Sequence, residues 1–110
     1  IIFSNSPKKR VKPFKDELDV DCCVSAMKPF KRKYMKILDE YKLNVTSVAC
    51  IGDQLLTDIK GGNSVGITTI LVNPIGTKER LTTRINRHFE RKILKKLRDN
   101  DLFTKGKYYE

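Results

Sequence analysis

Five polar residues combine type and spacing in a way that could support chemistry. They are Ser4 and Asn5 after the apolar run Ile1-Ile2-Phe3, Lys28 before Pro29, and Asp53, with Asp58 one helical turn further on. A hydroxyl, an ammonium and two carboxylates suit phosphate chemistry with Mg²⁺. Hard carboxylate oxygens hold such a metal, while the hydroxyl and the ammonium hold phosphoryl oxygens. Each residue alone has an ordinary explanation. Asp53 could cap a helix starting near Gln54, Ser4 could be a turn residue, and Lys28 a solvated side chain. Their order along the chain, and their common position after apolar segments, favour the chemical reading.

The elements that must position them follow a βα rhythm. Ile1 to Ser4, Val20 to Val24, Val45 to Ile51 and Ile67 to Val72 read as short buried strands. Between them, Pro7 to Leu18 has Val11, Phe14 and Leu18 at helical spacing, with Pro13 either in the first turn or at a kink. Lys28-Pro29 is expected to open a helix with Pro29 at its first position and Phe30, Tyr34, Ile37, Leu38 and Tyr41 on one face. Leu55 to Lys60 is expected to be a short helix closed by Gly61-Gly62. Strands alternating with helices at about 25-residue intervals predict an α/β fold with a mainly parallel sheet covered on both faces. In such sheets the ligand crevice lies beyond the carboxyl ends of the strands, where all five polar residues fall.

At this point the sequence resembles the haloacid dehalogenase (HAD) superfamily of phosphatases. Ser4 is similar to that family's second motif, Lys28 in Lys28-Pro29 to its third, and the string Gly52-Asp53-Gln54-Leu55-Leu56-Thr57-Asp58 to its fourth. With Gly61-Gly62-Asn63, Val72-Asn73-Pro74 and the basic segment Thr83-Arg84-Ile85-Asn86-Arg87, the resemblance extends to the YqeG group within HAD subclass IIIA and covers almost the whole chain. It implies a three-layer Rossmann-like fold and hydrolysis of a phosphomonoester by attack of an aspartate, through an aspartyl-phosphate. It further implies Ser4 and Asn5 on the phosphate, Lys28 on the phosphoryl group and nucleophile, Asp53 on Mg²⁺, and Asp58 steadying Lys28 or the metal's water shell. Some relatives act on phosphatidylglycerophosphate, which makes a phospholipid headgroup the leading substrate expectation.

One departure stands beside the resemblance. The family's first motif, an Asp-x-Asp pair after an earlier strand, occurs nowhere here. Asp19 and Asp21 have the spacing but precede a strand, and Cys23 follows where a small hydroxyl residue is expected. The expectation is therefore a C-terminal part of a longer protein, incomplete at the N-terminus and inactive alone. The intervals between Ser4, Lys28 and Asp53 each have room for one helix and one strand, so no cap domain is expected.

Length and charge bound the remaining possibilities. At 110 residues, the chain has room for one core, expected as residues 1–77 with a basic helical extension, 78–110, packed on it. No apolar run approaches membrane-spanning length, and no signal-peptide pattern opens the chain. Lys and Arg number 23 against 13 acids, a balance of +10 that favours an anionic partner. Residues 8–36 hold 10 basic and 4 acidic residues, residues 37–77 hold 2 and 4, and residues 78–110 hold 11 and 5. Three cysteines, two of them adjacent, lack metal-ligand spacing and fit a reducing cytoplasmic compartment. Residues 79–98 are expected to form a helix with Leu81, Ile85, Phe89, Ile93 and Leu97 on its apolar side. Arg80, Arg84, Arg87, Arg91, Lys95 and Arg98 then fall in a cationic wedge of roughly 80°. That wedge could be a solvated face, a contact for anionic lipid at the inner face of a membrane, or a nucleic-acid contact. The last would make the chain a non-catalytic RNA- or ribosome-associated module. A receiver domain shares the fold class but has its acidic cluster and lysine in another order.

Overall fold

Strand pairing sets the frame that carries the polar residues. In a computed structural model that describes residues 1–76 and 81–103, β1 (Ile2–Phe3) pairs in parallel with β2 (Cys22–Cys23), and β3 (Ala49–Gly52) in parallel with β4 (Thr68–Leu71). The registers are Ile2 opposite Cys22 and Ala49 opposite Thr68. The expected α/β class with parallel strands is what the chain adopts. The strands are shorter than predicted, and among the described residues they form two ladders rather than one sheet. β3 is accordingly not buried on both faces, and Ile51 is 67% exposed.

The helices are α1 (Lys8–Leu18), α2 (Lys31–Glu40), α3 (Lys60–Ser64) and α4 (Leu81–Asp99). α1 runs through Pro13 and buries Val11 alone, leaving Phe14 and Leu18 exposed. Asp19 ends it in the left-handed region, its N–H on the Lys15 carbonyl. α2 starts later than expected. Pro29 is not at its first position but sits in the preceding turn, with a cis Lys28–Pro29 bond. Tyr34 is buried, whereas Phe30 and Tyr41 stay exposed.

Two further predictions are corrected by local hydrogen bonding. Val45–Ser47 is a 3-10 turn rather than the start of β3, because the Asn44 side chain accepts from the Thr46 N–H at 3.1 Å and the Asn44 carbonyl from the Ser47 hydroxyl at 2.8 Å. The segment after Gly52 begins as a π-turn, Leu55–Ile59, and passes directly into α3. Gly61 and Gly62 lie inside α3 rather than closing it. A Cβ at Gly61 would stand 2.6 Å from the Tyr34 ring, so this glycine lets α3 approach α2. The chain reverses instead at Gly66, where φ is +81°.

The chain divides into two units, Ile1–Val72 and Asn73–Glu110. In the first, Val11, Ala26, Tyr34 and Ile67 form the buried apolar core. In the second, α4 ends with Asp101 in the left-handed region, its N–H on the Arg98 carbonyl and the Leu102 N–H on the Leu97 carbonyl. Among the described residues, no helix is long and apolar enough to cross a membrane.

Candidate active site

The carboxyl ends of β1 and β3 bring Lys28 and Asp58 together. Lys28 Nζ forms an ion pair with Asp58 Oδ1 and donates to the Phe3 carbonyl at 3.0 Å, with the ammonium 5.9 Å from the Phe3 ring centre. The lysine and aspartate side chains are 12% and 8% exposed. A pair this dry holds only with its remaining hydrogen-bonding groups satisfied, and they are. Asp58 Oδ2 accepts from the Gln54 N–H at 3.2 Å, so Asp58 caps the π-turn in which it lies. The turn is tightened further by the Gln54 carbonyl, which accepts from the N–H groups of both Asp58 and Ile59.

Gly52 makes this arrangement possible. A Cβ on it would collide with the Asp58 carboxylate, so the last residue of β3 must be glycine for Asp58 to lie against the strand end. Tyr34 supports Asp58 from below. Its hydroxyl donates to the Asp58 carbonyl at 3.3 Å and lies 4.0 Å from Cys50 Sγ, while its ring stacks at a tilt on Phe3 with centroids 4.4 Å apart. Burial pushes the Tyr34 hydroxyl and the Cys50 thiol up from their ordinary values, burial being the largest cause for each.

Lys28, Asp53 and Asp58 all line one cavity of about 300 Å³, bordered by Phe3 of β1 and Cys50, Ile51 and Gly52 of β3. Ser4 and Asn5 do not line it. Ser4 Oγ accepts from the Ser6 N–H at 3.1 Å and borders a second cavity with Arg10 and Val11. Asn5 is engaged with the backbone of Lys28: its Oδ1 accepts from the Lys28 N–H at 2.6 Å, and its Nδ2 donates to the Lys28 carbonyl at 3.1 Å. Asn5 is thus a clamp on the turn that delivers Lys28. Neither this clamp nor the part of Tyr34 is legible in the sequence, whose resemblance puts Asn5 on the phosphate and whose spacing puts Tyr34 on the apolar face of a helix.

Asp19 and Asp21 lie at the amino end of β2, away from these strand ends. The Asp21 carboxylate accepts from the Tyr41 hydroxyl at 2.5 Å and raises it to about 12. Of the cationic wedge, Arg80 lies outside the described residues. Arg84, Arg91, Lys95 and Arg98 are exposed on α4, whereas Arg87 turns to the less exposed side and pairs with buried Glu90 at 3.0 Å. Among the described residues, no cluster of three His, Cys, Asp or Glu side chains is placed to hold a metal. Asp53 offers one hard carboxylate at the cavity. That fits Mg²⁺ as one protein ligand among waters and substrate oxygens.

A family model described as HAD-hydrolase-like matches residues 25–99, a stretch that includes Lys28, Asp53 and Asp58. The chain belongs to the HAD-like hydrolase family. Within this family it is similar to the "Probable phosphatase YqeG" of Bacillus subtilis (strain 168), at 39% identity over 97 residues. That match covers 88% of the chain and 56% of the relative, so the chain spans about half the length of the curated HAD-like relative it matches. No solved structure matches.

Proposed function

We propose that the protein carrying this sequence is a Mg²⁺-dependent phosphatase that hydrolyses a phosphomonoester through an aspartyl-phosphate. The observation that carries the reading is the single cavity lined by Lys28, Asp53 and Asp58, with the Lys28 ammonium held between the Asp58 carboxylate and the Phe3 carbonyl. An ammonium fixed by two acceptors is oriented before substrate arrives, and it neutralises charge on a phosphoryl group without reorganising. Asp58 and the Asn5 clamp position it. Ser4, expected on the phosphate, borders a neighbouring cavity instead, its oxygen accepting from the Ser6 N–H. Asp53 holds Mg²⁺, which when bound supplies charge neutralisation at the phosphate.

The attacking aspartate comes from residues outside these 110. Asp58 is committed to Lys28 and the Gln54 N–H, and no Asp-x-Asp-x-Thr string is present in the chain. The leading substrate class is a phosphorylated lipid headgroup such as phosphatidylglycerophosphate, taken from the cytoplasmic side of a membrane. The test is release of inorganic phosphate by the full-length protein from an aryl phosphate and from the lipid, with Mg²⁺ and with chelator. Mg²⁺-dependent turnover, faster on the lipid, is expected. Turnover that persists undiminished in chelator would overturn the metal role, and absence of turnover on every phosphomonoester would overturn the enzyme reading.

A further inference from the structure

Four large apolar side chains of α4 are exposed. Leu81 is 71% exposed, Ile85 50%, Phe89 52% and Ile93 38%. At about 100° per residue these four follow one another along a strip about 120° wide. The less exposed side carries Thr83, Asn86, Arg87, Glu90, Leu94 and Leu97 instead. Glu90, by contrast, is 3% exposed and pairs with Arg87.

The exposed strip is bordered by cations. Arg84, Arg91, Lys95 and Arg98 fill the adjoining wedge of about 60°, and Lys92 and Lys96 lie within the strip's own arc. Glu90 is turned away, so no acid within the helix offsets them before Asp99 at its end. We propose that α4 lies in the plane of an anionic bilayer surface, with Leu81, Ile85, Phe89 and Ile93 inserted at the acyl boundary and the surrounding lysines and arginines on lipid phosphates. A helix with one insertable apolar edge and a cationic flank is built for this environment. Lysine stems at 92 and 96 can lie along the apolar edge while their ammonium groups reach the headgroups. RNA phosphates would satisfy the cations but leave three branched aliphatic side chains and a phenyl ring in water, so the exposed edge favours lipid over RNA. The proposal deepens the phospholipid reading above and rests on it for the substrate alone, because surface binding is measured without turnover.

These 110 residues contain no tryptophan, so Phe89→Trp, made in the full-length protein, reports from α4. Binding is measured by flotation with phosphatidylcholine vesicles and with vesicles that include about a third phosphatidylglycerol, at about 0.1 M salt. About tenfold or greater preference for the anionic vesicles is expected, with a blue shift of the tryptophan emission on binding. Phe89→Ser with Ile93→Ser should lose most of the binding, as should Arg84→Gln with Arg91→Gln and Lys95→Gln, each with wild-type circular dichroism. Equal binding to both vesicles, bound protein without a blue shift, or an apolar-edge variant that binds undiminished would overturn the proposal. So would tighter, salt-sensitive binding to a structured RNA that the apolar-edge variant retains. Loss of phosphatase activity elsewhere in the molecule would leave all of these readouts unmoved.

Discussion

Lys28 and Asp58 are 30 residues apart in sequence and meet as an ion pair that water scarcely reaches. Removing one partner strands the other as a buried charge, which typically costs about 3–5 kcal/mol. Lys28→Met should therefore unfold at a markedly lower urea concentration than wild type. Lys28→Met with Asp58→Leu should recover part of that loss, since no charge is left unpaired. In the full-length protein both variants should lose phosphatase activity by about a hundredfold or more, the preorganised cation being gone. A double variant less stable than Lys28→Met would contradict the pairing argument.

Asp53 lines the same cavity as Asp58. Asp53→Asn retains an isosteric polar group, so its unfolding midpoint should stay near wild type. Its Mg²⁺-dependent turnover should fall on the order of a hundredfold. A Mg²⁺ titration of activity checks this: a variant that reaches wild-type turnover at the wild-type Mg²⁺ concentration would remove Asp53 from the metal's ligands.

Gly52 and Gly66 predict opposite patterns. Gly52→Ala drives a methyl into the Asp58 carboxylate and should cost about 1–3 kcal/mol together with most of the activity. Gly66→Ala meets nothing within 4 Å but must hold φ at +81°, which should cost about 1–2 kcal/mol and leave the activity of the folded enzyme intact. Denaturant midpoints and turnover of the two variants, compared side by side, test the distinction.

Stability should decline in alkali through two neighbouring groups. Tyr34 and Cys50 both have their proton affinity raised by burial above the ordinary values of 10.0 and 9.0. Their contribution is thus fully present below those values and is lost as pH climbs past them, because the unfolded chain releases the protons first. The urea midpoint should be level near neutrality and fall from about pH 9 upward. Tyr34→Phe should flatten the upper part of that fall, and a fall of unchanged steepness in this variant would place its cause elsewhere.

Much of the site was already written in local order. A lysine ahead of a proline and the string from Gly52 to Asp58 located the strand ends that border one cavity, because βα units put loop residues at one edge of a parallel sheet whatever the details of packing. The four strand positions and the three longer helices, α1, α2 and α4, were likewise readable from apolar spacing, with errors of a few residues at their ends. Those errors have local causes that spacing does not record, such as the Asn44 side chain drawing Val45–Ser47 into a 3-10 turn. What only the tertiary structure decided is which groups are spent on one another. Asn5 clamps Lys28 and Tyr34 carries Asp58, pairings across 23 and 24 residues that no periodicity encodes. Which side chains of α4 meet water belongs to the same class. Its apolar strip is plain in the sequence, yet Leu81, Ile85, Phe89 and Ile93 are exposed while Glu90 is buried with Arg87 as its partner, as a buried charge requires.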